Sequence, residues 1–303
     1  MPFLSRTSIG MLLGLIGVTI FGGTLPMTRL ALEGFSPFVI TFGRAVIASL
    51  AAGAILLALG RRLPRRHLAP LLGVGLGAVF GFPIFSTIAM QTIPASHGGV
   101  VLGILPLLTS IFAALVDGER PGVLFWACGI AGSTLVVFFS VQESGFRLET
   151  GDLWLFLAAI SASFSYVLSG KLARELPGWE VIGWALVITA PLSLIGTIVT
   201  WEGGIRTPGT TEYAALTYLG LMSMFGGFVF WNAGLALGGI ARVAQVQLFQ
   251  TFVTLAVAAL LLGETIHPTT LVFAAAVAFV VWLGRKAKIT PAARPVAPTT
   301  VNR

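Results

Sequence analysis

Gln245, Gln247, Gln250, Thr251 and Thr254 follow one another in a single apolar stretch, and four of them, Gln247, Gln250, Thr251 and Thr254, share one face at helical spacing. Glutamine amides in a lipid-embedded helix are costly unless they hydrogen-bond to another helix or to water. The face is therefore either glue between helices or the wall of a cavity that binds the polar part of a substrate. It is wider than a single pair contact requires. Trp231 and Asn232, placed near the outer half of their own stretch, add an aromatic platform and an amide that both donates and accepts. Ser161, Ser163, Ser165, Tyr166 and Ser169 form another polar run, in which Tyr166 stands at a pocket edge. Arg44 is the one cation inside an apolar stretch, where it costs about 2.5–3.5 kcal/mol at a helix centre. Either it snorkels to helix-end carbonyls, or it holds a carboxylate or lines an external vestibule. Phe82 and His97 complete the set of candidate substrate contacts.

Catalytic chemistry has little to work with. All eleven acidic residues lie in loops or at the ends of apolar stretches, whereas proton relays in carriers are usually built from Asp, Glu or His within spans. His67, His97 and His267 are isolated and no His-Glu-x-x-His motif occurs, so no metal site is expected. Cys128 is alone in an apolar stretch and reads as a small packing residue. No phosphate loop opens a soluble domain. The expectation is no enzyme, no cofactor and no ATP-driven pump, with facilitated transport or an unobvious coupling instead. Glu119 and Glu264 read as caps that anchor helix ends.

The elements that must position these side chains are membrane helices. The 303 residues are 56% hydrophobic and only 10% charged, against roughly 25% charged in an average soluble domain. Ten stretches suit a span of about 20 residues: approximately 9–31, 37–59, 68–90, 95–116, 122–141, 152–171, 178–200, 213–236, 241–262 and 268–284. They are too long and continuous for a β-barrel. The first has no A-x-A cleavage site and reads as a span and not a signal peptide. With both termini on one side, that side holds fourteen of the eighteen Lys and Arg and the opposite side three, Arg44 being the remaining one. This places the termini in the cytoplasm and gives the net charge of +7 a topological explanation in place of nucleic acid binding. Residues 287–303, with Pro291, Pro295 and Pro298, read as a disordered tail.

Five stretches precede the hydrophilic segment 142–151 and five follow it. Gly81-Phe82-Pro83-Ile84-Phe85-Ser86-Thr87 matches Gly227-Phe228-Val229-Phe230-Trp231-Asn232-Ala233 without a gap, and Gly118-Glu119-Arg120 matches Gly263-Glu264-Thr265. An odd number of spans per half makes the second half enter the membrane from the other side. The fold class is thus an all-α membrane protein of ten helices in two inverted five-helix repeats, 1–141 and 152–286, with substrate bound near the midplane between them.

On these residues, together with Trp231-Asn232 and Pro106, the chain resembles the drug/metabolite transporter superfamily, specifically the EamA-type ten-span carriers and, within these, the YddG-type amino-acid exporters. The resemblance covers about 9–284. It implies a carrier in a bacterial inner membrane that moves small metabolites outward, amino acids first among them and other metabolites or drug-like cations as the alternative. Membrane lipid is its expected surroundings, a monomer is one of the oligomeric states left open, and a channel or a membrane-embedded enzyme or scaffold is the reading from a different class. Where the family often has a second-half counterpart of Pro106, this chain has Thr251, so the two halves are expected to bend differently at the core.

Helix bends are expected beside the cavity at Gly22-Gly23-x-x-Pro26 and at Gly103-x-x-Pro106. Proline removes a backbone hydrogen bond, and a carbonyl freed at membrane depth is tolerated only in protein or beside water. Gly73, Gly77 and Gly81, and Gly220, Gly227 and Gly234, form small-residue faces for close helix packing.

Overall fold

The computed structural model describes residues 5–117, 120–143, 149–201, 207–284 and 289–290. Among the described residues, eight helical rods are long and apolar enough to cross a membrane: Arg6–Leu32, Pro37–Ala58, Arg65–Ala89, Ala95–Val116, Thr150–Leu172, Gly178–Thr200, Thr210–Gly238 and Ile240–Leu262. Two more apolar helices, Val123–Glu143 and Pro268–Gly284, stand fifth and tenth in chain order. The rods are numbered here as helices one to ten.

Local signals set their ends. Ser5 accepts a hydrogen bond from the Ser8 amide and opens helix one. Ser36 does the same for Val39, with Pro37 in the first turn of helix two. Asp152 closes a capping box on the Glu149 amide at the start of helix six. Gly263 ends helix nine at φ 65°, a left-handed cap that only glycine adopts without penalty. Ile289–Thr290 pair antiparallel with Arg120–Pro121. The rest of the expected tail, 287–288 and 291–303, lies outside the described residues, as does Glu119.

The helices pack across the two halves of the chain. Helix one lies along helix eight, two along seven, three along six, four against nine, and five against ten. Exchanging each helix with the one five places away leaves this scheme unchanged. Tight crossings use the small-residue faces: a Cβ on Gly77 would stand 2.6 Å from the Ser161 carbonyl oxygen of helix six. Leu50, Leu57, Ile198, Val199 and Leu260 are exposed and form an apolar exterior suited to lipid.

Both halves also break their helices alike. Helix three carries a π-helical segment, Gly75–Gly81, and helix eight carries another, Tyr218–Gly226. Helix four carries a 3-10 turn at Leu102–Ile104 and helix nine one at Gln245–Gln247. The expected difference in bending around Pro106 and Thr251 is therefore corrected: helix nine tightens without a proline. Its short first segment, Ile240–Ala244, packs on the Leu105–Asp117 part of helix four, while Leu248–Leu262 packs on both helix one and the Ala95–Val101 part of helix four.

Helix one breaks at Gly23, between Arg6–Gly22 and Thr24–Leu32. Pro26, Pro83 and Pro106 each fall in the first turn of the segment that follows a break, where a missing N–H costs least. Pro191 is different: it sits inside the unbroken helix Gly178–Thr200.

Candidate central cavity

The breaks converge. Helix one brings Phe21 and Thr24 to its break, the π segments of helices three and eight bring Ala78, Ser223 and Met224, and Phe82 and Phe228 follow those segments directly. With Arg44 of helix two, Ala162, Ser165 and Tyr166 of helix six and Gln250 of helix nine they line a cavity between the halves. Its volume is ≈ 20 Å³, room for about one water molecule. A π turn places residues out of step with an α-helix, which is how helices three and eight direct consecutive residues at one point.

Arg44 dominates the site. Its side chain is buried, the residue being 2% exposed. Nη2 donates to the Ser223 hydroxyl at 2.9 Å, and that hydroxyl is 2.8 Å from the hydroxyl of Thr24. Nε and Nη1 have no partner. The guanidinium thus neither snorkels to the helix end nor pairs with carbonyls there; it is held inward by Ser223 and lines the central cavity, not the vestibule. Among the described lining residues no carboxylate balances it. A buried cation without a counter-charge is expensive, and the arrangement stores a strong preference for an anion.

The helix nine face divides. Gln250 lines the cavity, with its Oε1 unpartnered. Thr251 donates to the Gly99 carbonyl at 3.0 Å, and Thr254 donates to the Gly22 carbonyl at 2.8 Å. Gly22 stands four residues before Pro26, which has no N–H to offer it, so Thr254 satisfies the carbonyl that the helix one break releases. These two threonines are interhelical bonds and do not reach the cavity. Gln247 and Gln245 are buried in the 3-10 turn and outside the cavity lining, with both amide atoms of Gln247 unpartnered. The shared face presumes a continuous α-helix; the 3-10 turn rotates Gln247 off it.

Trp231 and Asn232 lie toward the Gly238 end of helix eight, the end beside Gly10 and Gly178. Both are fully buried. Trp231 packs edge-on to Tyr166 at 5.3 Å between ring centroids, and Phe228 packs on Phe21 at 5.1 Å. Trp231 thus supports the aromatic wall from behind and is not itself a lining residue. Asn232 donates to the Gly178 carbonyl at 3.1 Å.

At one end of the bundle a second, wide cavity of ≈ 1110 Å³ opens between the loops, lined by Arg29, Glu33, Gln91, Trp201, Tyr213 and Glu264 among others. His97 is not part of it. Its Nε2 lies 2.7 Å from Asp152 Oδ1, both side chains are 8% exposed, and the ring packs on Phe139. Asp152, a span-end acid by sequence, is therefore a buried partner that ties helix four to helix six. Glu264 accepts from the amides of Ala95 and Ser96, each at 2.9 Å, and so caps helix four from the end of helix nine. The opposite end carries ion pairs. There Arg61, after helix two, pairs with Glu180 in the first turn of helix seven at 3.3 Å, and Arg66 and His67, at the start of helix three, approach Glu175 of the loop after helix six at 3.8 and 3.5 Å.

Sequence reasoning found Arg44, Gln250, Tyr166 and Phe82, and the structure gathers them. It missed Phe21, Thr24, Ser223, Met224 and Phe228. Phe228 aligns with Phe82 in the matched segments, a signal that was present. Among the described residues, no cluster of His, Cys, Asp or Glu could hold a metal.

Comparison with known proteins agrees with this architecture. The profile of the EamA-like transporter family matches twice, at residues 8–142 and 149–284. "Uncharacterized transporter YdeK" of Bacillus subtilis is 40% identical over 264 residues, covering 87% of this chain and 92% of that protein. "Probable terminal-alkyne amino-acid exporter" of Streptantibioticus cattleyicolor is 26% identical, covering 84% and 86%. "Aromatic amino acid exporter YddG" of Ancylobacter novellus is 28% identical, covering 75% and 80%. A bundle of broken apolar helices around a polar core, matched along both halves by one family, leaves no other placement: the chain belongs to the EamA-like transporter family, of the drug/metabolite transporter superfamily.

Proposed function

We propose that the chain is a ten-span secondary carrier that exports amino acids, or metabolites like them, by alternating access through the cavity at Arg44. On this reading residues 1–141 and 152–286 are two five-helix repeats of inverted topology joined by 142–151. The packing scheme, unchanged on exchanging helices five places apart, supports it, as do the π and 3-10 segments found in the same helices of each half. A pseudo-two-fold axis in the membrane plane would let the repeats trade conformations and expose one site to either side.

The observation that carries the proposal is the buried guanidinium with unpartnered nitrogens at the meeting point of both halves. A purely structural core would replace it with an apolar residue at a gain in stability. The wide cavity on the Glu264 end supports reading this conformation as one that faces the vestibule side. The distribution of basic residues supports an outside location for that side and cytoplasmic termini in a bacterial inner membrane. Two relatives named as amino-acid exporters support that substrate class and the outward direction. The Gly22–Pro26 and Gly103–Pro106 segments act as the bends about which the helices move. Gln250 and Tyr166 contact substrate with Arg44, and the monomer is the working unit.

Counterflow in liposomes tests this. Protein reconstituted with an unlabelled amino-acid mixture inside is expected to accumulate labelled phenylalanine, leucine or methionine transiently and saturably. A broad amino-acid panel without any uptake contradicts the substrate class. Uptake that never saturates, with unitary currents, contradicts a carrier.

A further inference from the structure

The charge and lining of the central cavity specify more than the size of its ligand. The Arg44 guanidinium is the one formal charge among the described residues that line it, and its Nε and Nη1 face no acceptor. Guanidinium matches a carboxylate by paired, charge-assisted hydrogen bonds, and burial makes that match worth more than it is in water. A ligand ammonium finds no such partner. The neutral Oε1 of Gln250 is the unpartnered acceptor in the lining, while the Thr24 and Ser223 hydroxyls are already engaged with each other and, for Ser223, with Arg44. A second cation placed there would also stand beside an unneutralised one.

Ser165 also lines the wall, its hydroxyl engaged as donor to the Ala162 carbonyl at 2.8 Å, and the remainder is mainly apolar. Phe21, Phe82, Tyr166 and Phe228 present rings, and Met224 presents a flexible thioether side chain that accommodates varied shapes. The cavity in this conformation admits a water-sized molecule, and the two π segments that carry Ala78, Ser223 and Met224 are the parts of the wall with the least regular backbone hydrogen bonding. Expansion for a ligand is assigned to these segments, Ser223 with them, while Arg44 sits on the continuous helix Pro37–Ala58 and serves as the anchor.

Resting on the carrier reading above, we propose that recognition is through the carboxylate and the apolar body, and that the amine is dispensable. The substrate class is then apolar and aryl monocarboxylates, of which amino acids are one subset. Organic cations are excluded by the same charge.

The test uses three probes with one body: phenylalanine, 3-phenylpropionate and phenethylamine. With the wild-type protein in detergent, phenylalanine and 3-phenylpropionate are expected to raise Tm in a saturable way and phenethylamine to leave it unchanged. In liposomes, 3-phenylpropionate is expected to compete with phenylalanine counterflow about as well as phenylalanine itself, and phenethylamine at least about 30-fold less well. Phenethylamine acting as strongly as the acids, or phenylalanine acting while 3-phenylpropionate does not, overturns the carboxylate rule and leaves the carrier standing. No Tm shift with either acid also overturns the rule. Failure of the carrier reading is seen separately, as absent counterflow across the whole amino-acid panel.

Discussion

Arg44→Leu is expected to give a protein that is more stable and does not transport. The substitution removes a buried cation that costs about 2.5–3.5 kcal/mol at a helix centre on insertion scales. It leaves the Thr24 and Ser223 hydroxyls bonded to each other at 2.8 Å, so no new unsatisfied group is created there. Leucine is shorter than arginine but apolar, in a wall already made of Phe21, Phe82, Met224 and Phe228. Transport, in contrast, loses the one charged contact available to a substrate. Truncating one member of a buried, hydrogen-bonded charge pair costs about 2–5 kcal/mol of binding, a fall of about 30-fold or more in apparent affinity. Arg44→Lys keeps the charge without the planar fork and is expected to fall between the two. Tm in detergent and counterflow in liposomes, measured on the same preparations, decide the matter. Parallel loss of both would make Arg44 a structural residue, and unchanged transport would take it out of the pathway.

Gly234→Val is expected to unfold or misassemble the bundle. Helices one and eight cross at backbone contact: a Cβ at Gly234 would lie 2.8 Å from the Gly10 carbonyl oxygen and 2.8 Å from the Gly14 amide nitrogen. A Cβ at Gly10 would lie 2.5 Å from the Gly238 nitrogen. Main chain cannot rotate away as a side chain can, so the helices must part along the whole seam. That seam packs helix one on the helix that carries Phe228 and Trp231. Overpacking of this kind costs about 3 kcal/mol or more, a large share of the roughly 5–15 kcal/mol that separates folded from unfolded chains. Gly53→Ala is the matched control. The nearest atom to a Cβ there is a Val187 methyl at 3.7 Å, ordinary contact, and alanine is favoured over glycine within a helix by roughly 1 kcal/mol. The expected readout is loss of the monodisperse peak in size-exclusion chromatography for Gly234→Val and a slightly raised Tm for Gly53→Ala. A well-folded Gly234→Val would show that the seam is loose.

These expectations depend unequally on sequence and structure. The apolar stretches and their charged connections were legible because lipid allows few ways to satisfy a backbone, and Arg44 and Gln250 stood out because such side chains are costly there. Phe21, Met224 and Phe228 were not legible, since Phe and Met are ordinary in any membrane helix and only their direction matters. That direction is set by backbone irregularity. Counting at α-helical spacing put Gln247 with Gln250, and the 3-10 turn at Gln245–Gln247 separates them. Thr254 likewise looked like a lining residue and proved to be the partner of the Gly22 carbonyl. Its role needs the position of helix one, a contact between residues 232 apart in the chain. The buried His97–Asp152 pair was hidden for the same reason, as each residue alone sits at the end of its apolar stretch.

The central claim is a single site that faces each side of the membrane in turn. Ser223→Cys, in a Cys128→Ala background, places a thiol at the cavity in a residue of nearly the same size. Labelling with a membrane-impermeant thiol reagent, in right-side-out and inside-out vesicles, reports which side reaches it. The carrier account predicts labelling from either side, a balance that shifts with the direction of an amino-acid gradient, and protection by saturating substrate. Labelling from one side only under every gradient, or from both sides together with ion conductance, would contradict it.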